Sequence, residues 1–177
     1  MLNGQLKPGY NIQVGTENNF VIGYDVFPNP TDTRTFIPHL ENVQRRLGCK
    51  FKFAIADAGY GSEENYDYLE KNEITGIVKY TTYEKETKRS FAKKTFNTEN
   101  WKYDAEQKAK VKELLSSEEY KTLMKKRSTE CETVFGQTKG NLGFRRFYLR
   151  GKEKVGTEWG LLMLGYDFRQ LIRLINA

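Results

Sequence analysis

The order of strand and helix patterns in the first half of the chain is the sequence feature that most constrains the fold. Residues 9–27 alternate apolar and polar side chains around a polar turn, which predicts a β-hairpin. Prolines within residues 28–30 end the second strand, because proline cannot donate to a ladder. Thr31 or Asp32 is then expected to cap a helix that ends at Gly48. The apolar face of this helix comprises Phe36, Leu40, Val43 and Leu47.

Two short apolar segments follow, one on each side of a second helix. Residues 51–56 and 74–78 have the composition of buried strands, and Ser62 is expected to cap the helix between them. The order strand, strand, helix, strand, helix, strand is typical of a mixed sheet with crossover helices. We therefore predict an α/β fold.

The second half of the chain is predicted to be helical after a charged insertion. Residues 80–112 are polar and lack periodicity, which favours a loop-rich segment with some helix after Asp104. Residues 116–119 (SSEE) form a capping-box pattern that opens a helix, which we expect to break near residues 128–129. Apolar residues at helical spacing predict a final helix over residues 155–175.

Length and composition favour one domain with a polyanionic partner. The 177 residues fit a single domain, residues 1–177, with the insertion at about residues 80–115. No apolar run reaches the ~18 residues that cross a membrane and no signal peptide opens the sequence, so a cytoplasmic protein is expected. Two isolated cysteines exclude a zinc site built from cysteine, and a single histidine disfavours a Ser-His-Asp mechanism. The net charge of +6 favours a polyanion as partner.

Asp57 is the first candidate for a chemical role. It follows an apolar strand directly and precedes the Gly59-Tyr60-Gly61 turn. Ligand-binding groups of α/β sheets collect beyond the carboxyl ends of strands, and a carboxylate there can hold a hard cation such as Mg²⁺. The alternative is an aspartate that forms a turn by bonding the backbone two residues on. Position alone leaves both interpretations open.

Glu132 and Lys139 form a second candidate pair. Seven residues on a helix make about two turns, so both side chains share one face and could hold a metal ion and an adjacent phosphate. The alternative is structural, since residues 129–132 also fit a capping box with Glu132 as its acidic member.

A basic and aromatic stretch follows the pair. Residues 133–152 contain no Asp or Glu. Their basic residues are Lys139, Arg145, Arg146, Arg150 and Lys152, and Phe144, Phe147 and Tyr148 lie among them. This combination suits contacts with nucleic-acid phosphates and bases. The alternative is a solvated loop whose aromatic side chains belong to the core.

Five segments together resemble one protein family. They are residues 9–13 (GYNIQ), 29–33 (NPTDT), 56–61 (ADAGYG), 132–139 (ETVFGQTK) and 143–147 (GFRRF). In combination they resemble the catalytic region of bacterial insertion-sequence transposases of the DDE type. The resemblance spans nearly the whole chain, apart from the end of the insertion.

The resemblance implies a ribonuclease H-like fold in which three carboxylates hold two divalent metal ions, Mg²⁺ or Mn²⁺. Asp57 matches the second carboxylate and Glu132 the third, which makes them the expected catalytic and metal-binding residues. Lys139 matches a lysine that contacts DNA near the cut. Relatives often have an arginine four residues before the glutamate, where this chain has Ser128, and the neighbouring Arg127 is a possible substitute.

Two departures from the family pattern bear on activity. The first carboxylate normally lies on the first strand of the sheet, which is central and which this chain lacks; Asp25 aligns with the third strand and is not a member of the triad. Many relatives also carry a cysteine-rich insert before the helix of the glutamate, and residues 100–104 run almost directly into that helix. Both departures suggest a truncated transposase.

The resemblance implies metal-dependent DNA cleavage and strand transfer, by a chain that is inactive alone. Its partners would be double-stranded DNA at transposon ends and targets, and a second copy of the chain or an upstream transposase fragment. Lys139, Arg145, Arg146 and Arg150 would neutralise DNA phosphates in the nucleoid. The alternatives are a non-catalytic DNA-binding remnant and a metal-dependent nuclease unrelated to transposition.

Overall fold

Four strands and five helices make up the part of the chain that the computed structural model describes, which is residues 9–80, 83 and 105–176. Residues 84–104 of the predicted insertion lie outside the described residues. In chain order the elements are β1 (Asn11–Glu17), β2 (Phe20–Phe27), α1 (Phe36–Leu47), β3 (Phe53–Ala56), α2 (Glu63–Lys71), β4 (Thr75–Val78), α3 (Ala105–Ser116), α4 (Glu118–Gly140) and α5 (Lys152–Ile175).

The predicted hairpin is confirmed. β1 and β2 pair antiparallel, with Val14 opposite Tyr24, and the register shifts between Gly15 and Thr16. The turn consists of Asn18 and Asn19, whose φ angles of 52° and 67° lie in the left-handed region that asparagine tolerates. The polar turn seen in the sequence is therefore two residues long.

The second pair of strands is parallel, and α2 forms the crossover between them. β3 and β4 pair with Ala56 opposite Val78. The predicted cap of α2 is confirmed, because the Ser62 hydroxyl accepts a hydrogen bond from the backbone N–H of Asn65 at 3.3 Å. α1 ends at Gly48 as expected, in a left-handed conformation with φ of 67°.

The start of α1 differs from the prediction. Thr35 precedes its first residue and makes no side-chain cap, so neither Thr31 nor Asp32 caps the helix. The reason is that the Asp32 carboxylate is engaged elsewhere, since Oδ1 accepts hydrogen bonds from Asn11 and Gln13 of β1. A contact across the fold replaces the local cap.

The mixed α/β class is confirmed, but the strands do not form the single sheet that was predicted. Among the residues described, β1 pairs with β2 and β3 pairs with β4, and no ladder joins the two pairs. The chain therefore presents two separate two-stranded sheets, in which β1 and β3 each have one edge without a neighbouring strand in the described part of the chain.

The long helix α4 corrects a further prediction. It begins within the predicted segment 116–119, and its cap is Ser117, whose hydroxyl accepts a hydrogen bond from the backbone N–H of Tyr120 at 3.4 Å. The helix then continues without a break across residues 128–129. The Thr129 hydroxyl bonds back to the carbonyl of Lys125 at 3.3 Å, so it is satisfied within the helix and does not interrupt it.

Two hydrophobic clusters hold these elements together. The first surrounds β3 and β4 and includes Leu69, Ile77, Val78, Tyr80 and Val111. The second joins α4 and α5 to the hairpin through Val134, Trp159, Met163 and Tyr166. Each pair of strands therefore has its own core. In the part of the chain that the structure describes, no helix combines the length and the apolar character that crossing a bilayer requires.

A buried ion network fastens α1 to β2. The Asp25 carboxylate lies 2.7 Å from His39 Nδ1 and accepts a hydrogen bond from Arg46 Nη2, also at 2.7 Å. Asn42 Nδ2 donates to the same carboxylate at 3.2 Å. Burial alone would raise the pKa of Asp25, but the hydrogen bonds and positive charges of His39 and Arg46 outweigh it and hold the pKa below its usual range. Asp25 is thus a structural residue of this fold.

The lowered pKa of Asp25 predicts a pH-dependent contribution to stability. The contribution is complete above the ordinary aspartate pKa of ~3.9 and is lost as the pH falls through the lower pKa of the folded state. Asp25→Asn should lower the free energy of unfolding by ~1–3 kcal/mol at neutral pH, and by progressively less below about pH 4. Urea unfolding from pH 3 to 7 measures this, with Glu41→Gln, which changes an exposed carboxylate of α1, as the control. A difference between wild type and Asp25→Asn that does not change with pH would contradict the prediction.

Candidate functional site

The loop after β3 presents Asp57 to solvent. Asp57 is exposed and directly follows the last residue of the strand. Its Oδ1 accepts a hydrogen bond from the backbone N–H of Ala58 at 2.7 Å and caps a short 3₁₀ turn, Ala58–Tyr60. The turn-forming role predicted as the alternative is therefore present. It does not exclude a metal-binding role, because the carboxylate stays accessible at the carboxyl end of the strand.

Four polar side chains connect the hairpin to this loop, and we call Asn11, Gln13, Asp32 and Tyr60 the polar bridge. Gln13 is its centre and is only 3% exposed. Its Nε2 donates to Asn11 Oδ1 at 2.8 Å and to Asp32 Oδ1 at 3.1 Å, while its Oε1 accepts a hydrogen bond from the Tyr60 hydroxyl. Asn11 Nδ2 also donates to Asp32 Oδ1 at 2.9 Å. The bridge therefore spans the gap between the two sheets with hydrogen bonds between side chains.

Further contacts fix the backbone of the loop. Asn65 is buried, and its Nδ2 donates to the carbonyls of Tyr60 at 2.6 Å and of Thr33 at 3.0 Å. The Thr33 hydroxyl donates to the carbonyl of Gly59 at 3.0 Å. Gly61 is packed so closely against β4 that a Cβ there would lie 2.6 Å from the carbonyl oxygen of Lys79. The position of Asp57 is therefore determined from both sides of the loop.

Tyr60 lies in the same loop as Asp57, and its surroundings shift the pKa of its hydroxyl. Burial raises the pKa of Tyr60, the neighbouring groups of Asp32, Cys131 and Asp57 raise it further, and the hydrogen bond to Gln13 opposes them. The pKa of Tyr60 therefore lies well above the usual tyrosine value.

A contact between two side chains holds α4 against the hairpin. Cys131 Sγ and Thr16 Oγ1 lie 3.5 Å apart. Glu132 follows Cys131 directly, is exposed, and lies in the interior of α4. Since the helix is continuous there, the capping-box interpretation of Glu132 is wrong. The distance from Glu132 to Asp57, which we expect to be within ~8 Å for a shared pair of metal ions, stays a prediction.

Lys139 occupies the helix position that the sequence suggested. It is exposed on the same uninterrupted helix as Glu132, about two turns further on. Its Nζ lies 5.9 Å from the centre of the Phe135 ring, a weak cation–π contact that directs the stem of the lysine along the helix. Glu132 and Lys139 therefore share one accessible helix, as their spacing predicted.

The remaining basic candidates divide into two groups. Arg145, Arg146 and Arg150 are exposed in the loop between α4 and α5. Arg127 is half-buried on α4, and its Nε is buried without a hydrogen-bond partner among the described residues. The three loop arginines are accessible to a polyanion, whereas Arg127 is directed in part at the interior. DNA binding by each of them stays a prediction.

The aromatic residues of the same loop have different surroundings. Phe144 and Phe147 pack against Trp159, with ring centres 6.0 Å and 6.1 Å apart, and belong to the second hydrophobic cluster. The core interpretation is therefore confirmed for these two. Tyr148 differs, because its side chain is 83% exposed.

Sequence reasoning missed the polar bridge as part of the site. The sequence places Asn11 and Gln13 in a hairpin strand and Asp32 at a helix cap, and nothing in the local pattern pairs them with one another or with Tyr60. The available signal was the spacing of Asn11 and Gln13, which places two amide side chains on one face of a strand. Their partner Tyr60 lies 47 residues from Gln13, beyond the reach of a local pattern.

The described residues contain no cluster of three or more His, Cys, Asp or Glu side chains that could hold a metal ion. Asp57 and Glu132 have the hard oxygen donors that Mg²⁺ and Mn²⁺ prefer. As a pair they provide fewer ligands than a three-carboxylate site requires, so the residues fit part of such a site.

The close packing of Gly61 yields a test of how the loop is held. Gly61→Ala should lower the free energy of unfolding by about 1–3 kcal/mol, because its Cβ would meet a backbone carbonyl that cannot move aside cheaply. Gly136→Ala is the matched control, since Gly136 lies in α4 with no atom within 4 Å of the added Cβ. The control should gain up to ~1 kcal/mol from helix propensity. Chemical denaturation of both variants measures the difference, and equal stabilities would contradict the account of the loop.

Comparison with known proteins identifies the family. The family model of the transposase DDE domain matches residues 2–168, which is nearly the whole chain. A search of the curated proteins and a search of the solved structures each returned no match. The matched span contains the Asp57 loop, the polar bridge and the helix that carries Glu132. The chain therefore belongs to the transposase DDE domain family.

Proposed function

We propose that this chain is the catalytic part of a DNA transposase that cleaves phosphodiester bonds at transposon ends and transfers the strands to target DNA, with Mg²⁺ or Mn²⁺ as cofactor. The observation that carries the proposal is the exposed Asp57 carboxylate at the carboxyl end of β3, on a loop that hydrogen bonds from Thr33 and Asn65 and to Gln13 hold in place. A transposase function in general follows from the family.

Asp57 and Glu132 are the residues that would hold the metal. When bound, a pair of divalent ions stabilises the attacking and leaving oxygens of an in-line displacement. The chain's own contribution is to hold the two carboxylates in position on a loop and a helix that the core fixes independently. Tyr60 stays neutral because of its raised pKa, so it adds no negative charge beside these carboxylates.

A further carboxylate completes the proposed site. We propose that it lies on a strand supplied from outside the described residues, by an upstream segment or fragment. The sheet topology supports this, since both two-stranded sheets have free strand edges in the described part of the chain and no ladder joins them. A strand between them would form one ribonuclease H-like sheet and would satisfy the backbone groups of both edges.

Contacts with DNA are proposed for the exposed basic residues of α4 and of the loop that follows it. Lys139 on α4 and the loop residues Arg145, Arg146 and Arg150 carry the charges that would neutralise phosphates. Arg127 would act only if its half-buried side chain turned outward, so we assign it a secondary role.

A non-catalytic DNA-binding protein is the second candidate function. The observation in its favour is that the described residues contain no group of three or more His, Cys, Asp or Glu side chains that could hold a metal ion. Such a remnant would keep the exposed basic surface and would lack cutting activity even with the upstream segment supplied. An experiment that supplies the upstream segment and measures cutting therefore distinguishes the two functions.

The chain alone is predicted to show no end-specific cleavage of transposon-end DNA with Mg²⁺ or Mn²⁺. Addition of the upstream segment, fused or in trans, should restore cutting, because it supplies the missing strand and carboxylate. Gel analysis of a labelled transposon end measures the products. Asp57→Ala in the restored protein should abolish them, whereas Glu119→Gln, an exposed carboxylate in the first turn of α4, should not.

Two outcomes of this experiment would contradict the proposal. Efficient end-specific cutting by the chain alone would show that its own carboxylates suffice, and Asp25 would be the first residue to re-examine. Cutting that survives Asp57→Ala would remove Asp57 from the catalytic machinery.

DNA binding should depend steeply on salt, because each phosphate contact releases counterions. The double variant Arg145→Ala, Arg146→Ala should flatten the slope of log affinity against log salt by about 1.8, the value for two contacts. Fluorescence anisotropy with a duplex at several salt concentrations measures it. Lys50→Ala, Lys52→Ala is the matched control, since both lysines are exposed at the opposite end of β3 from Asp57. Equal slopes for the two double variants would exclude the loop arginines from the DNA surface.

A further inference from the structure

Tyr148 is the most exposed of the large hydrophobic side chains in the described part of the chain, at 83%. Its neighbours in sequence, Phe144 and Phe147, are packed into the core by Trp159. Single exposed aromatic side chains are common on protein surfaces, so the exposure alone does not indicate a partner. It leaves the ring of Tyr148 accessible to one, and the backbone and charges around it indicate which kind.

The backbone beneath Tyr148 is held firmly. Glu158 of α5 accepts two hydrogen bonds with its carboxylate, from the backbone N–H of Tyr148 at 2.9 Å and from that of Leu149 at 3.0 Å. The Tyr10 hydroxyl accepts a hydrogen bond from the backbone N–H of Gly151 at 3.0 Å, which fixes the end of the loop to the hairpin. The ring is thus presented from a fixed backbone, so little ordering of the loop would oppose binding.

The charges around the ring suit a nucleic acid. Arg145 and Arg146 precede Tyr148, Arg150 follows it, and all three are exposed. Glu158 is occupied by the backbone of the loop, so its charge is directed at amide groups. Proteins that bind single-stranded nucleic acids combine exposed aromatic rings, on which bases stack, with basic side chains that neutralise phosphates.

We infer that Tyr148 is a stacking platform for an unpaired base in DNA, and this inference rests on the DNA-binding function proposed above. The kind of DNA that Tyr148 would bind follows from which base faces are free to stack on its ring. In a fully paired duplex both faces of every base are covered by neighbouring bases, whereas a base that leaves the stack offers a free face. Tyr148 would hold such a base while Arg145, Arg146 and Arg150 bind the flanking phosphates.

The test compares two DNA probes. One is a short duplex that contains a single unpaired 2-aminopurine, and the other is the same duplex with that base paired. The full chain should bind the first more tightly and should quench its fluorescence by stacking. Tyr148→Ala should weaken binding of the unpaired probe between about fivefold and about 150-fold, the range for loss of one base–aromatic stack. Binding of the paired probe should change less than about twofold.

Two further variants make the test specific. Tyr148→Phe keeps the ring and should keep both the preference and the quenching. Phe168→Ala removes another exposed aromatic side chain, 57% exposed and about four turns along α5 from its start, and should behave like the wild type. Paired-duplex binding by each variant reports that it is folded.

The outcomes distinguish this inference from the proposed function. If all variants bind paired DNA and Tyr148→Ala equals the wild type on the unpaired probe, the stacking role is wrong and DNA binding stands. Loss of the preference in Tyr148→Phe would also overturn it, because the hydroxyl and not the ring would then be responsible. If the wild type binds neither probe, the DNA-binding function fails and the stacking role fails with it.

Discussion

The buried amide of Gln13 is the interaction on which the arrangement of the site depends. It connects β1 to Asp32 and to Tyr60, and so joins two sheets that share no ladder in the described part of the chain. A buried amide must satisfy its donors and its acceptor, because each unsatisfied group costs ~1–3 kcal/mol. Two of its partners, Asp32 and Tyr60, lie outside β1, so the amide fixes the position of their loops relative to the strand.

The rest of the site follows from that connection. Once Tyr60 is held, the loop before it is confined between Asn65 and the hairpin, and Asp57 stays at the carboxyl end of β3. The helix of Glu132 is held separately, by the contact of Cys131 with Thr16 and by the core of α4 and α5. A preorganised metal site requires each of its carboxylates to be held on a fixed element, because misplacement of a catalytic group by about 1 Å can cost ~10²-fold in rate.

The sequence predicted those features that local chemistry determines. The hairpin turn, the Ser62 and Ser117 caps and the end of α1 at Gly48 each depend on a few neighbouring residues. The predicted break in α4 was wrong because Thr129 bonds back within the helix. The predicted cap of α1 was wrong because the Asp32 carboxylate bonds to Gln13, 19 residues away.

The candidate site could be predicted only in part from the sequence. Asp57 and Glu132 were found by resemblance, with strand-end position and helix spacing as weaker support. The polar bridge was missed because its residues are polar, well separated and individually unremarkable in composition, so that only the folded chain shows their pairing. The exposure of Tyr148 was equally hidden, because the alternation of aromatic and basic residues does not reveal which ring α5 covers.

The most direct test of the central claim, that Asp57 and Glu132 bind the same divalent ion, is paramagnetic broadening by Mn²⁺ in amide NMR spectra of the full chain. At substoichiometric Mn²⁺ the account predicts broadening of Ala58 and Gly59 together with Glu132 and Thr133, and Asp57→Asn should remove it from both segments. Broadening confined to one segment, or unchanged at Thr133 in Asp57→Asn, would contradict a shared metal site.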